Sequence, residues 1–364
     1  MKCAIAGTLL LSPTALLAQA DFVAHPLLLF GFPAQFTAEV ELADVDGDGD
    51  LDILAANGRH WAQQDRVYLN SDRGRPLEAR TIGGLAASYV IRAGDFDRDG
   101  DPDIVVVHDT LPAAVYTNDG AGNFAATAVL DTGGAARGAR LADIDGDGVL
   151  DLLIARRRGS DRLHRGDGRG GFAPGEDLPG TDGPSTDLAV SDLDADGDAD
   201  LVIARRDGEA SLVLLNDGRG RFEAAPLAGS AGDHRKAVAG DFDGDGTADI
   251  VLGSVEAGLA LYRGDGTGGF GPAERFAIAA GGVQALIAFD FDGDGDLDLV
   301  QGTETQPNSV HWNNGSGQFD TRPLPAEPAD TYGIAVGDLN GDGAPDLVFA
   351  NSESPNEILF GSKR

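Results

Sequence analysis

Apolar residues along this chain come in short runs, each stopped by a cluster of Gly, Asp and Asn. The clearest runs read DILAAN, DIVVVH, DLLIAR, DLVIAR, DIVLGS, DLVQGT and DLVFAN. Their length, their Val, Ile and Leu content and their turn-forming flanks predict strands rather than helices. Runs with small residues precede them: IRAGD, ARLAD, LAVSD, AVAGD and GIAVGD. A third set follows: RVYLN, AVYTN, RLHRG, LVLLN, LALYRG, SVHWN and EILFG. A turn such as NDGAGNF, GDGRGGF, NDGRGRF or NNGSGQF then leads to a fourth. The chain reads as antiparallel strands in groups of four.

The groups recur in register. An acidic nine-residue motif sits between the first and second runs, at 44–52, 95–103, 143–151, 192–200, 241–249, 290–298 and 338–346. Successive starts are 51, 48, 49, 49, 49 and 48 residues apart. Seven such units take up essentially all of residues 21–364 and leave no room for a second domain. Four strands in a repeat of this size suit a propeller blade. The expected fold is all-β, a seven-bladed β-propeller of four-stranded antiparallel blades. Ala and Gly in the first run suit an innermost strand, where backbones crowd the axis. The last group stops after its third run, while DFVAHPLLLFGFPAQF at 21–36 is strand-like and belongs to no group. Pairing of these N- and C-terminal segments is expected to complete the seventh blade and remove an open sheet edge.

Residues 1–20 read as a signal peptide: Lys2 opens it, an apolar stretch follows, and Ala18-Gln19-Ala20 fits a small-x-small cleavage site. The product, 21–364, is expected to be exported, secreted or periplasmic, and monomeric. Cys3, the one cysteine, falls in this leader, which excludes a disulfide framework and a Cys-ligated zinc site. No other segment is long and apolar enough to span a bilayer as a helix. Acidic residues number 60 against 27 basic, a net charge of −33. That excludes a general nucleic-acid binder, which needs a basic footprint.

The motif carries Asp at alternate positions 1, 3 and 5, Gly near 6 and Asp at 9. Calcium takes six to eight oxygens from carboxylates and carbonyls, and alternate residues of a tight loop can converge on one point. The candidate ligands are Asp44, Asp46, Asp48 and Asp52 in the first loop and Asp95, Asp97, Asp99 and Asp103 in the second. The third offers Asp143, Asp145, Asp147 and Asp151; the fourth Asp192, Asp194, Asp196 and Asp200. The fifth offers Asp241, Asp243, Asp245 and Asp249; the sixth Asp290, Asp292, Asp294 and Asp298. The seventh offers Asp338, Asn340, Asp342 and Asp346, with an amide oxygen at position 3. An EF-hand would need Glu at position 12, where this chain has Ala55, Val106, Ile154, Ile203, Leu252, Gln301 and Phe349. Good turns alone would explain Asp and Gly, but the loops hold 31 of the 60 acidic residues. Up to seven calcium ions are expected. Seven weak sites, each about tenfold saturated, sum to roughly 10 kcal/mol, as much as a domain's stability, so the role is structural.

With its D-x-D/N-x-D-G-x-x-D spacing, the chain resembles the FG-GAP/VCBS repeat family, the blade type also found in the head of integrin α-subunits. The likeness covers about 36–364, and GDLNGDGAPDLVFA at 337–350 is the nearest copy. Asp97-Arg98-Asp99 departs by placing Arg at a non-ligand position. The resemblance implies a seven-bladed propeller, calcium between the first two strands of each blade, and interaction roles.

Loops on the opposite face gather cations. They hold Arg59, His60 and Trp61, then Arg156, Arg157 and Arg158, then Arg205 and Arg206, then His234, Arg235 and Lys236. Arg pairs with carboxylate and sulfate through a planar fork, so an acidic glycan or acidic protein surface is one expected ligand. The alternative is that these are solubilising residues paired with neighbours such as Asp207 and Asp161. Trp61 beside His60 is either a sugar-stacking ring or an exposed loop aromatic. Arg165-Gly166-Asp167 and Arg263-Gly264-Asp265 spell an adhesion tripeptide but fall where other units have a hairpin turn. There is no G-x-S-x-G, no H-E-x-x-H and no cysteine in 21–364. The expected function is a non-enzymatic protein- or carbohydrate-binding module; the alternative is a calcium-dependent polysaccharide lyase or hydrolase.

Overall fold

The computed structural model describes residues 21–70, 74–276 and 282–362. The expected signal peptide lies outside them. Among the described residues there is no helix. Five sheets have four strands each, ordered consecutively and paired antiparallel. In blade 2 the order from the axis outward is Ser88–Gly94, Asp103–His108, Ala113–Asn118 and Phe124–Leu130. The sixth sheet has six strands because two of them are long enough to serve twice. Strand Asp346–Ser362 pairs through its first half with Asp330–Gly337 and through its second half with the chain's start. Strand Asp21–Ala43 pairs with that second half, then runs on to pair with Asp52–Asn57. This sheet is therefore blades 7 and 1, each of four strands, stitched together.

The second strand of each blade is buried along its length, as in Asp103–His108 and Asp200–Arg205. It is sandwiched between two neighbouring blades, so both faces are covered and the sequence runs continuously apolar rather than alternating. Outer strands such as Phe222–Pro226 are largely exposed. The inner strands approach closely. A Cβ on Gly138 would lie 2.9 Å from the Asp187 Cα, and one on Gly333 would lie 2.7 Å from the Glu39 Cα.

The core is divided into seven clusters among the described residues, one for each pair of adjacent blades. Leu54, Val67, Ile91 and Ile104 join blades 1 and 2. Phe291, Trp312, Leu347 and Phe349 join blades 6 and 7. The seventh cluster sets Val348, Ala350 and Ile358 of the last blade against Val40, Ile53 and Tyr68 of the first. Seven blades in a row would have six interfaces; the seventh exists because the ring is closed. Closure places Phe22 opposite Gly361, with its ring stacked 6.4 Å from Trp312 and edge-on 5.9 Å from Phe291.

Polar ties hold the turns between second and third strands. Asp65 accepts Asn57 N at 2.7 Å and the Ser88 hydroxyl at 2.7 Å. Asp161 accepts Arg156 N at 2.6 Å and the Ser185 hydroxyl at 2.8 Å. Blades 6 and 7 use amides here: Asn308 accepts Thr303 N at 3.1 Å, and Asn356 accepts Asn351 N at 2.8 Å. Burial pushes both carboxyls, Asp65 and Asp161, up to about 7.

Two predictions follow from this packing. Phe22→Ala removes the aromatic that seals the closing blade and is expected to cost about 3 kcal/mol by denaturant unfolding; a loss below about 1 kcal/mol would contradict its sealing role. The native pKa values of Asp65 and Asp161 lie above the unfolded value. Their stabilising share is therefore fully present below about pH 4 and lost as pH rises through about 7. The double variant Asp65→Asn, Asp161→Asn is expected to raise Tm at pH 8, to raise it less at pH 5 and to bring no gain below about pH 4. The gain is at most about 4 kcal/mol per site.

Candidate functional site

The seven acidic turns share one face of the ring. In the first, Asp44 accepts Gly47 N at 2.8 Å and Gly49 N at 3.0 Å, and Asp48 accepts Asp50 N at 3.0 Å. Gly49 sits at φ +93°, a conformation that side chains resist. The carboxylates at positions 1, 3 and 5 are thereby turned inward. Oxygens of Asp44, Asp46 and Asp48 lie within 4.8 Å of one another, as do those of Asp95, Asp97 and Asp99 and of Asp241, Asp243 and Asp245. In the third and fourth loops the same clustering includes position 9, through Asp151 and Asp200.

Position 9 also has a structural task. Asp52 accepts Val45 N at 2.9 Å with one oxygen and Asn70 N at 2.8 Å with the other. This pair of bonds recurs in all seven blades, ending with Asp346, which accepts Leu339 N and Gly361 N. It ties the turn to the third strand. Burial pushes these carboxyls up, to about 6 at Asp52, Asp249 and Asp346 and about 7 at Asp298.

The loops fit a hard cation. Oδ1 of Asp46, Asp145, Asp194 and Asp292 is buried and has no hydrogen-bond partner. Burial, with the like charge of the neighbouring Asp294 next, pushes the Asp292 carboxyl up to about 6. The donors are all carboxylate, amide and carbonyl oxygens, the set that suits calcium or another hard divalent ion.

The opposite face opens on the central channel. Counting six residues back from the first Asp of each loop gives Ala38, Tyr89, Arg137, Thr186, Arg235, Gln284 and Tyr332, and all seven line the mouth. In six of the inner strands the ladder skips this residue in a bulge. A bulge re-aims a side chain, here into the channel mouth. Arg59, His60, Arg157, Arg206 and Glu304 join them from the ends of second strands, around a cavity of about 220 Å³.

The mouth has two halves. On one, the Arg59 guanidinium lies 3.5 Å over the Tyr332 ring, and Arg137 lies 4.2 Å over Tyr89. The Tyr89 hydroxyl meets the His60 ring at 3.0 Å. On the other half stand Arg157, Arg206, Arg235 and Lys236. Asp233 serves Arg235 at 3.4 Å and Arg206 at 3.7 Å, and Lys236 faces Glu39 at 3.9 Å. Burial, with Arg206 and Arg157 adding to it, pushes the Arg235 guanidinium down. Arg157 has no ion pair and no side-chain hydrogen bond among the described residues, and it lines the cavity. Deeper in the channel Arg92 bridges Glu39 at 3.2 Å and Glu41 at 3.1 Å, so the inner strands are not lined by small residues alone.

Five of the expected ligand-face residues are elsewhere. Arg156 is buried and donates to the carbonyls of Ser160, Gly133 and Gly134 at 2.8, 3.0 and 3.3 Å. Arg205 is buried and donates to the Asp182 carbonyl at 3.1 Å. His234 is buried against the Ser230 carbonyl at 3.0 Å, and burial holds it down at about 4. Arg158 and Trp61 are exposed outside the cavity. The reason is strand geometry: consecutive side chains point to opposite sides, so Arg157 reaches the mouth while Arg156 turns between blades. Arg137, Tyr89 and Tyr332 escaped the sequence reading, although the fixed six-residue offset could have found them. The Arg-Gly-Asp tripeptides are turn parts: Asp167 accepts Arg169 N and Gly171 N at 2.9 Å each, and Arg165 is paired with Asp145.

The sequence matches a family described as FG-GAP-like repeat, over residues 44–106, 107–154, 144–203, 192–252, 241–301 and 290–349. No curated protein sequence matches. Among solved structures, the chain is similar to an Agrocybe aegerita lectin described by its specific recognition of non-reducing terminal N-acetylglucosamine. The TM-score is 0.59 and the identity 23%, with 88% of this chain and 87% of that chain covered. It is also similar to BBS1N solved in complex with ARL6DN, with TM-score 0.64, identity 12%, and 94% and 98% covered. At these identities the likeness is one of fold. No helix among the described residues is long and apolar enough to cross a membrane.

The two kinds of loop carboxylate are separable by experiment. Asp52→Ala strands the Val45 and Asn70 amides and is expected to cost about 2–4 kcal/mol even in EGTA. Asp46→Asn is expected to lower Tm only in calcium, and to match or exceed the parent in EGTA because one repelling charge is gone. Equal losses for both variants in EGTA would contradict this division.

Proposed function

The chain belongs to the FG-GAP-like repeat family, and from that premise we propose that it is an exported, calcium-stabilised, non-enzymatic binding module. Its ligand docks at the channel mouth, on the face away from the acidic loops. One observation carries the reading: Arg157, unpaired, faces the cavity beside Arg206 and Arg235. A guanidinium in that setting seeks a planar anion. The tyrosines across the mouth offer ring faces to the body of the same ligand. An acidic glycan matches both halves; an acidic protein surface matches the cationic half. The lectin of similar fold supports a sugar-binding role. With a net charge of −33, the chain repels anionic ligands except where this cluster meets them, so binding is salt-sensitive.

Residues 44–52 and their six counterparts would hold calcium, which supplies charge neutralisation to these acidic turns. Proteolytic maturation before Asp21 would accompany export, and the N-terminal sequence of the product checks it.

A screen of acidic and neutral glycans, with calcium and with EGTA, tests the reading. Binding of a carboxylated or sulfated glycan is expected, weakened by salt. Arg157→Ala with Arg206→Ala is expected to weaken it about tenfold or more at unchanged Tm. Arg156→Ala, by contrast, is expected to lower Tm. Glycan binding that ignores the Arg157 and Arg206 changes would overturn the placement of the site.

A further inference from the structure

The seven acidic loops are of two kinds. At position 7, blades 1, 2, 4 and 6 add a fifth carboxylate, in Asp50, Asp101, Asp198 and Asp296. The third strand of each of these blades ends on Asn: Asn70, Asn118, Asn216 and Asn313. Each of these amides donates 2.8 Å across to the preceding blade's loop, at the carbonyls of Leu339, Val45, Ile144 and Phe242. Blades 3, 5 and 7 instead have Val149, Thr247 and Ala344 at position 7, and Gly166, Gly264 and Gly361 after the third strand. In blades 3 and 5 a backbone amide makes the cross-blade bond, from Gly170 to the Phe96 carbonyl at 2.9 Å and from Gly268 to the Leu193 carbonyl at 3.3 Å. Two positions thus change together, which marks two blade types rather than scattered substitution.

The second type carries its own charge relief. Arg165 precedes Gly166 and pairs with Asp145, the position-3 residue of its own loop. Arg263 precedes Gly264 and pairs in the same way with Asp243. Both are anchored from the far side. Arg165 donates to the Arg219 carbonyl of the next blade at 3.3 Å. Arg263 donates to Glu274 at 3.0 Å and to the Ser316 carbonyl of the next blade at 3.0 Å. Blade 7 reaches the same charge by another route, with Asn340 at position 3. Five carboxylates give −5 in loops 1, 2, 4 and 6. Four carboxylates and one guanidinium give −3 in loops 3 and 5, and three carboxylates give −3 in loop 7. The buried oxygens agree with this division in part. Asp46, Asp194 and Asp292 keep an unpartnered Oδ1; Asp145 keeps one but gives its other oxygen to Arg165; Asp243 has none of this kind.

We propose that the propeller has two classes of calcium loop: a tight class in blades 1, 2, 4 and 6, and a weak class in blades 3, 5 and 7. Arg165 and Arg263 act as built-in counter-ions. The inference rests on the calcium reading above and concerns which loops fill first. A guanidinium on the position-3 carboxylate repels an incoming dication and occupies electron pairs the ion would use, and calcium affinity follows ligand charge and site rigidity. The arginine loops are relieved without metal, whereas the five-carboxylate loops are not. At limiting calcium, four loops hold the ion and the other three stay closed on their own.

Equilibrium dialysis of residues 21–364 against buffered free calcium, with bound metal read by emission spectroscopy, tests this. A plateau at four ions per chain is expected, with three more filling at about tenfold or higher free calcium. The double variant Arg165→Leu, Arg263→Leu takes the residue that blades 1 and 4 carry there, Leu69 and Leu215. It is expected to move the first plateau from four to six. Asn340→Asp, a change at a turn rather than at a blade contact, is expected to move it to five and keeps the test open if the arginine variant does not fold. Seven ions filling as one class, or variant titrations that superimpose on the parent, would overturn the two classes. No bound calcium at all would overturn the metal reading from which the inference starts.

Discussion

Everything in this molecule depends on closing the ring. A blade cannot bury both faces of its second strand alone; it needs a neighbour on each side. Seven apolar clusters for seven blades satisfy that need everywhere, and the seventh exists because the first strand of the chain supplies the last strand of the final blade. The closing pair is covered by the same ring system that fills the adjacent interface, Phe22 against Phe291 and Trp312. Closure also covers the outward edge of the last blade's third strand with the first strand of the chain.

Closure sorts charge between two faces. Every turn from first to second strand emerges on one side, and every turn from second to third on the other, so a repeated sequence becomes two chemically opposite surfaces. The acidic side is a set of oxygen cages whose last Asp is fastened to the backbone of its own blade. Arginines on that side serve structure: Arg80 donates to the Ala121 carbonyl at 2.6 Å and Arg98 to the Gly148 carbonyl at 2.8 Å, each reaching the next blade. On the other side six bulges, with Gln284 just ahead of the inner strand in blade 6, bring seven equivalent residues to the channel mouth, and the ring is uneven because those residues differ, aromatic at Tyr332 and Tyr89 and cationic at Arg137 and Arg235. Repetition builds the frame, and departures from repetition make the site.

Neighbouring arginines illustrate how little residue type alone decides. Arg156 and Arg157 are adjacent and identical, yet one is spent on three carbonyls and the other is unpaired at the cavity. Arg205 is likewise buried, whereas Arg206 reaches the cavity, where it is paired with Asp207 and Asp233. A run of cations on a loop marks the right region of the fold, but only strand phase assigns each one to interior or mouth.

The chain's periodicity alone determined the blade count, the four strands per blade, the place of the acidic turns and the pairing of the two ends. These are local or repeated features, and a pattern copied seven times averages out the ambiguity of any single run. Individual roles were set by tertiary structure. Asp52 and its counterparts fasten two strands because the third strand returns beside the loop, a contact separated by some 18 residues in the first blade. Arg165 and Arg263 reach acidic loops rather than a partner protein because the hairpin folds back over them. The channel mouth draws its residues from all seven blades, so its composition exists only once the ring has closed and the bulged side chains, far apart in sequence, meet around one axis.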